Sequence, residues 1–519
     1  MLIASVNSIV LTGLAGEVIT IEVDIADGLP AFLLLGMPDS SLHESRDRVR
    51  SALVNSGFQW PQSRVTVSLT PAGIPKRGSS LDLPIAVAIL IAQGVISQES
   101  VSGRLLLGEL SLDGRVRASR GLVAAMIAAH QSGMNQVIIS SESASVTALI
   151  PEVNAYLVND LREVIHFLST GVLVGVPRSE PLLSEDELFV DDSATRKQGL
   201  DFSEVVGQED AIAALVAAAA GHHHLLMIGP PGTGKTMLAE RMVTIMPPLS
   251  REEILEINAI HSISTGDRSI VTEVPFIAPH HTITRAALIG GGSQRVKPGA
   301  ISLAHRGVLF IDEAPECDSG TLDALREPME SGEITVARSS GRETFPADFL
   351  LILAANPCPC GRLFGKGRSC TCSSLQVRRY GERLSGPLLD RIDIVLNVEA
   401  MGRLAFTSSS SQSSAELRTS VIDAREVARE RFKAERFAIN SKIPSELLKN
   451  RYRPGRRALT HLLDRLDDGS ISARGFHRIL RLAWTFADLN GSTTPGVDEV
   501  EKALAMRSDF VTASVATLR

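Results

Sequence analysis

The densest chemistry in the sequence lies in HHLLMIGPPGTGKTMLAERM, where an apolar run, LLMI, meets a glycine-rich turn and then a helical pattern. Gly229, Gly232 and Gly234 let the backbone turn sharply, so that its N–H groups can converge on phosphate oxygens. Pro230, Pro231 and Thr233 fill out the turn. Lys235 can then reach a β- or γ-phosphate, Thr236 can ligate Mg²⁺, and Met237 continues a helix whose positive N-terminus adds attraction for the anion. The pattern GxxxxGKT between a strand and a helix is specific for nucleotide phosphates.

A second apolar strand, in GVLFIDEA, ends in Asp312 and Glu313. An aspartate at such a strand end can hold Mg²⁺, and an adjacent glutamate can orient or deprotonate an attacking water. A third buried strand, FLLILAANP, ends at Asn356, which either positions that water or simply starts a turn before Pro357. Arg391 stands between two aspartates in RLSGPLLDRIDI. It would form local ion pairs or serve as an arginine finger reaching a neighbour's γ-phosphate. Arg474, Arg478 and Arg481 share one helical face in ISARGFHRILRLAW. That face is either solvated or, at the leading Arg474, turned toward phosphate.

Cys358, Cys360, Cys370 and Cys372 form CPC-x9-CTC. Four thiols this close suggest tetrahedral Zn²⁺, with reduced free thiols and redox pairing as alternatives, because C-x-C is tighter than the common C-x2-C. Cys317 stands apart and is expected to be packed. His222–His224 run into the phosphate-loop strand and are expected to pack there, while His280 and His281 suggest no chemistry.

These residues must be positioned by alternating helices and strands over 201–400, as in a parallel sheet. Residues 1–170 read as a separate α/β unit, with ITIEVDIA and RVTVSLT alternating like strands and GLVAAMIAAHQSG as a helix ending at Gly133. Residues 171–200, rich in prolines and glycines and then acidic, read as a linker, and 401–519 as a polar low-complexity loop followed by helices. No internal repeat is visible.

The 519 residues exceed one hydrophobic core and suggest about three domains. A net charge of −7 gives no global pull toward nucleic acid or anionic membrane, so any DNA-binding surface must be local, such as a ring pore. The N-terminus lacks the pattern of a signal peptide, and the longest apolar run, LPIAVAILIAQGVI, is short for a membrane span. With only five cysteines there is no disulfide framework, and the expected location is the cytoplasm.

DFSEVVGQEDA, with Val206, Gly207 and Gln208, resembles the adenine-pocket segment of AAA+ proteins. Asn356 then matches their sensor 1, Arg391 their arginine finger and Arg474 their sensor 2. IAPHHTITRAALIGGG, PGAISLAHRGVLFIDEAPE, AANPCPCG and SGPLLDRIDI are similar to the magnesium-chelatase-like branch and, within it, the ComM/YifB family. This resemblance covers essentially the whole chain. It implies a homo-hexameric ring that uses ATP and Mg²⁺ and a DNA helicase that drives branch migration during recombination of incoming DNA. The branch carries two insertions expected at the ring pore. One lies within about 270–300 and holds Arg285, Arg295 and Lys297. The other is the hairpin EITVARSSGRETFPA, with Arg338 and Arg342 near its turn. Arginines at such a tip could grip phosphates without reading sequence, or decorate an ordinary polar hairpin.

GELSLDGRVRASRGLVAAMIAAHQSG and PAGIPKRGSSLDLP resemble the proteolytic domain of Lon protease. Ser80 falls at the place of its nucleophile, but Val123 fills the place of its lysine. A serine without a base is a poor nucleophile, so the resemblance implies a non-proteolytic scaffold or binding module. A magnesium-chelatase motor subunit or a protein-remodelling ATPase would share the core, and a chelatase subunit would not need the N-terminal unit.

Overall fold

The computed structural model describes residues 3–36, 39–73, 76, 79–173, 199–264, 270–292, 296–338, 341–363, 370–399 and 412–507. Most of the expected linker, Arg295, the hairpin turn at 339–340 and most of the serine-rich loop lie outside them.

The N-terminal unit is one seven-stranded mixed sheet. Its strands are β1 (Ala4–Thr12), β2 (Ala15–Ala26), β3 (Ala31–Leu35), β4 (Arg64–Thr70), β5 (Arg104–Leu106), β6 (Gln136–Ser140) and β7 (Asn154–Val158), in the order β3-β4-β2-β1-β5-β6-β7. Alternation sets its two faces. Val6, Leu106 and Ile138 point into one core, shared with the helix Asp82–Ala92. Ile9, Leu105, Val137 and Ile139 point into the other, shared with the helix Leu122–Gln131. Both helices are apolar nearly all round, as elements buried against a sheet are.

The second unit carries five parallel strands: β8 (Leu225–Ile228), β9 (Phe276–Ile277), β10 (Val308–Ile311), then, past a separate antiparallel hairpin of β11 (Glu333–Arg338) and β12 (Gly341–Pro346), β13 (Leu350–Ala355) and β14 (Ile394–Asn397). The order is β9-β10-β13-β8-β14. Continuous apolar runs are what a parallel sheet covered on both faces requires. Leu225, Met227, Val308, Phe310, Leu350 and Ile352 enter one core, and Leu226, Ile228, Leu309, Ile311, Leu351 and Leu353 the other.

The C-terminal part is helical, and its two long helices share the first of those cores with the sheet. Ser414–Arg431 starts at a capping box built by Ser413 and Glu416, and Ala473–Leu489 is capped by Ser472. Leu417, Val421, Ile479, Leu480 and Ala483 pack against the helix Glu209–Gly221 and the strands. The N-terminal unit docks on the core through the helices Leu122–Gln131 and Arg251–Ser264: Gly121 N donates to Ser262 O at 3.0 Å, and Arg251 pairs with Glu152 at 2.6 Å. Among the described residues, no helix is long and apolar enough to cross a membrane.

Candidate nucleotide site

Parallel pairing puts the C-terminal ends of β8, β10 and β13 along one edge, because Ile228 lies beside Ala355 and Ile311 beside Leu353. The residues that follow therefore emerge together. In an open parallel sheet this edge is where ligands bind, beside the point at which strand order reverses. Gly229 leaves β8 so close to β14 that a Cβ there would stand 2.4 Å from the Val398 carbonyl oxygen, and only glycine fits. Gly232 and Gly234 follow with φ of 79° and 88°. Gly234 begins the helix Lys235–Ile245, and no side chain caps that N-terminus, so its first N–H groups face the loop for an anion to use.

Lys235 Nζ donates to the carbonyls of Gly229 (2.7 Å) and Pro230 (2.9 Å), and it lies 3.4 Å from Asn356 Oδ1. Burial lowers its pKa, while Asp312 and Glu313 act to raise it. Thr233 Oγ1 donates to Pro230 O at 2.9 Å and stiffens the turn. Gln208, which precedes the helix Glu209–Gly221, is buried and donates through Nε2 to Thr233 O at 2.9 Å. Gln208 thus lies against the phosphate loop, with Val206 and Gly207 just before it in the chain, and Met237 packs over Gly234 and onto the core.

Thr236 Oγ1 donates to Asp312 Oδ2 at 2.8 Å. A hydroxyl and a carboxylate oxygen held together are hard donors of the kind Mg²⁺ prefers, so these residues fit the ion. Asp312 Oδ1 also accepts from the Glu313 N–H at 2.9 Å. Glu313 is in the left-handed region, at φ 49°, which costs a non-glycine residue about 1–2 kcal/mol. Strain of this kind gathers at functional sites. Its half-exposed carboxylate stands 3.3 Å from His281 Nδ1. The sequence assigned His281 nothing. It arrives here because β9, which ends four residues before it, pairs with β10.

Arg391 and Arg474 belong to a different cluster. Arg474 Nη1 pairs with Asp390 at 2.7 Å and is largely exposed. Arg391 donates to Pro387 O at 2.7 Å and pairs with Glu330, so local ion pairing is what one chain shows. Among the described residues, no hydrogen bond or ion pair joins either arginine to Lys235, Thr236, Asp312 or Glu313. The solvated-face reading of Arg478 and Arg481 does not hold. Arg478 pairs with buried Asp393 and donates to Arg391 O at 3.1 Å, and Arg481 donates to Ile443 O at 2.8 Å. His223 bridges Asp393 (3.0 Å) and Thr485 (2.7 Å). Burial alone would raise the Asp393 carboxyl, but Arg478 and His223 hold it well below the usual carboxylate range.

The hairpin β11–β12 pairs from Glu333↔Pro346 to Arg338↔Gly341, and Arg342 is exposed on it. Lys297 lies on the strand Lys297–Pro298, which pairs with Gly290–Gly291, and Arg285 starts the short helix before them. The side chain of Arg338, like Arg295, lies outside the described residues. The four cysteines converge: Cys358 Sγ is 3.4 Å from that of Cys360 and 3.8 Å from that of Cys370, and all four sulfurs lie within 4.8 Å of one another. Cys317 is buried in the core, as expected. Ser80 lines a cavity of about 20 Å³ whose other walls are Ile9, Val10, Leu11, Leu107, Ser119, Arg120, Leu122 and Ala125, with no lysine or histidine among them. Val123 is buried.

Family models agree with this architecture. One described as magnesium chelatase, subunit ChlI, matches residues 201–405, one described as subunit ChlI of Mg-chelatase matches 21–143, and one described as the ChlI C-terminal part matches 411–507. The N-terminal unit therefore carries the chelatase label too, and its presence alone does not separate the two motor types. The chain is 43% identical to an uncharacterized protein of Mycobacterium tuberculosis, over 96% of this chain and 97% of the relative. It is 38% identical to the competence protein ComM of Haemophilus influenzae, over 98% of each, and 36% identical to YifB of Escherichia coli, over 98% of this chain and 97% of the relative. The magnesium-chelatase subunit ChlI of Euglena gracilis is 24% identical over only 30% of this chain and 52% of its own. Full-length likeness of this order, on a parallel sheet with GPPGTGKT and IDEA side by side at one edge, means that the chain belongs to the ComM/YifB family of magnesium-chelatase-like AAA+ ATPases.

Proposed function

We propose that this protein is an ATP-hydrolysing ring motor, a homo-hexamer that moves along DNA in the cytoplasm and promotes branch migration in recombination. The observation that carries the ATPase half is the convergence of Lys235, Thr236, Asp312, Glu313 and Asn356 at one sheet edge. Backbone N–H groups of Gly229–Gly234 and the Lys235 ammonium hold phosphate. Thr236 and Asp312 hold Mg²⁺, which supplies charge neutralisation at the phosphates. Glu313 takes the proton of the attacking water and Asn356 orients it. Val206, Gly207 and Gln208 flank the base. Arg391 leaves Glu330 to enter the neighbouring subunit's site, and Arg474 closes from the helical lid at 401–519.

The DNA half rests on the competence name of a full-length relative, on the hairpin that carries Arg338 and Arg342, and on the strand pair that carries Lys297, with Arg295 near it in sequence. Such residues hold backbone phosphate without sequence preference. The N-terminal unit, 1–170, is read as a Lon-like scaffold without peptidase activity. The four cysteines are read as a structural Zn²⁺ site. The chelatase labels on all three family models favour one second reading, a motor that drives metal insertion into a porphyrin.

The test is the ATPase rate with and without single-stranded and four-way-junction DNA. A rise with DNA, lost in Arg338→Glu/Arg342→Glu, is expected. Active hydrolysis indifferent to both DNAs would overturn the DNA reading and favour the second one. Arg391→Ala subunits should bind ATP yet slow wild-type partners in mixed rings; partners left at full rate would remove the finger assignment.

A further inference from the structure

The cysteine cluster is built into the wall of the nucleotide site. Cys358 follows Asn356 by two residues and is fully buried. Gly361 N donates to Cys358 O at 2.9 Å, and this turn, at φ 73°, brings Gly361 so close to the phosphate loop that a Cβ would stand 2.6 Å from Pro231 Cδ. On the far side Cys372 leads into the helix Ser374–Gly381, capped by Ser373 and Gln376. Just past that helix, Arg383 donates to Pro315 O and Glu316, both at 3.0 Å, in the turn that carries Glu313. One small element thus touches the phosphate loop, the strand end of Asn356 and the Glu313 turn.

Among the described residues the apolar core of this element is small: Cys358, Leu363 and Val377, with the other three cysteines packed around them and Tyr380 buried on the same helix. A core this small does not fix a fold without a staple. The sulfurs are not disulfide-bonded, since a bond needs about 2.05 Å. Their separations of 3.4, 3.6 and 3.8 Å are instead those of a sulfur tetrahedron's edges, about 3.8 Å for a Zn–S distance of 2.3 Å. The backbone N–H groups of Thr371 and Arg362 turn on the Cys360 sulfur, the kind of support that thiolate ligands receive.

We propose that Cys358, Cys360, Cys370 and Cys372 bind one Zn²⁺ whose occupancy holds Asn356 and Pro231 in place, so that nucleotide binding at the Lys235 loop depends on a metal that never touches the nucleotide. The inference rests on reading that loop as a nucleotide site, and it deepens that reading by making the site conditional on metal.

The experiment uses the full chain, purified reduced and without chelator. Zinc is counted per chain, and affinity for a fluorescent ATP analogue with Mg²⁺ is measured before metal removal by a mercurial with EDTA, after it, and after Zn²⁺ is returned. Circular dichroism follows the fold throughout. About one Zn²⁺ per chain, a loss of affinity of about tenfold or more on removal, and recovery on return are expected. Gly361→Ala keeps all four thiols, and should therefore keep its zinc while losing affinity through Pro231. Protein that neither carries nor takes up Zn²⁺ overturns the site. Zinc that can be removed and returned with affinity unchanged overturns the coupling and leaves the nucleotide site standing. Zinc-dependent binding without hydrolysis supports the coupling and sinks the ATPase reading instead.

Discussion

The two ends of the core's parallel sheet both gather histidines, acids and cations, yet they treat them differently. At the entry end, before β8, β13 and β14, His223, His224, Asp393 and Arg478 bond to one another or to backbone, and His222 stands 3.7 Å from Asp348. His223 is locked between Asp393 and Thr485, and Leu351 N donates to His224 Nδ1 at 3.1 Å. At the exit end, Lys235 is held by loop carbonyls that phosphate could replace, Thr236 and Asp312 share one hydrogen bond, and Glu313 stands half exposed in a strained conformation. Charged groups that satisfy each other internally fix a fold. Groups that are aimed together but still face solvent are available for chemistry.

Lys235→Ala should break the exit end most severely. It removes the cation without leaving a buried charge, so the fold should remain while nucleotide affinity falls by about 10²–10³-fold, read by binding of a fluorescent analogue. Retained affinity would mean that the loop does not bind phosphate as described. Glu313→Gln should sharpen the same end: affinity retained, turnover down by about 10²–10⁴-fold in single-turnover assays. Wild-type turnover would remove Glu313 from its role. His281→Ala, next in size, should alter turnover without altering affinity, because among the described residues its imidazole lies against the Glu313 carboxylate and the His280 ring.

The entry end should respond in stability and not in activity. Burial lowers His222 to about 3 and His224 to about 4, against an ordinary 6.5. Protonating His224 also destroys its bond from Leu351. The unfolded chain therefore binds protons that the folded chain refuses between pH 6.5 and 4. Stability present above 6.5 is lost as pH falls through that window, by about 3 kcal/mol for His224 at roughly 1.4 kcal/mol per pH unit. His224→Gln should flatten the acid side of the urea-denaturation midpoint; an unchanged slope would show that His224 takes up its proton without unfolding.

How much of this was visible in the sequence follows the range of the interactions. GPPGTGKT and IDEA were legible because loop, strand end and helix start are contiguous, and the alternating cores of both sheets followed from apolar runs. The four cysteines were legible as a group because they span 15 residues. His281 beside Glu313 was not, because only the pairing of Phe276 with Val308 and Ile277 with Leu309 brings them together. Nor was the burial of Arg478, since helical periodicity shows which residues share a face but not what covers it. The contact of Gly361 with Pro231 depends on the path of a turn that no short pattern records.

Ser80 extends the contrast to its smallest expected effect. Like Thr236 it stands two residues after a glycine at the start of a helix, in the 3-10 turn Ser79–Leu81 that leads into Asp82–Ala92. Around Thr236 the neighbours are a lysine, two carboxylates and an amide; around Ser80 they are mainly Ile9, Val10, Leu11, Leu107, Leu122 and Ala125. A cavity of about 20 Å³ holds little more than a water. Among the described residues no base lines that cavity to take the hydroxyl's proton, and the cavity has no room for an acyl group. Ser80→Ala should therefore leave ATPase rate, nucleotide affinity and peptide hydrolysis unchanged and move stability by no more than about 0.5 kcal/mol. Peptidase activity in the wild type that disappears in Ser80→Ala would show that this end of the molecule is chemically competent after all, through a base that the surroundings of Ser80 do not reveal.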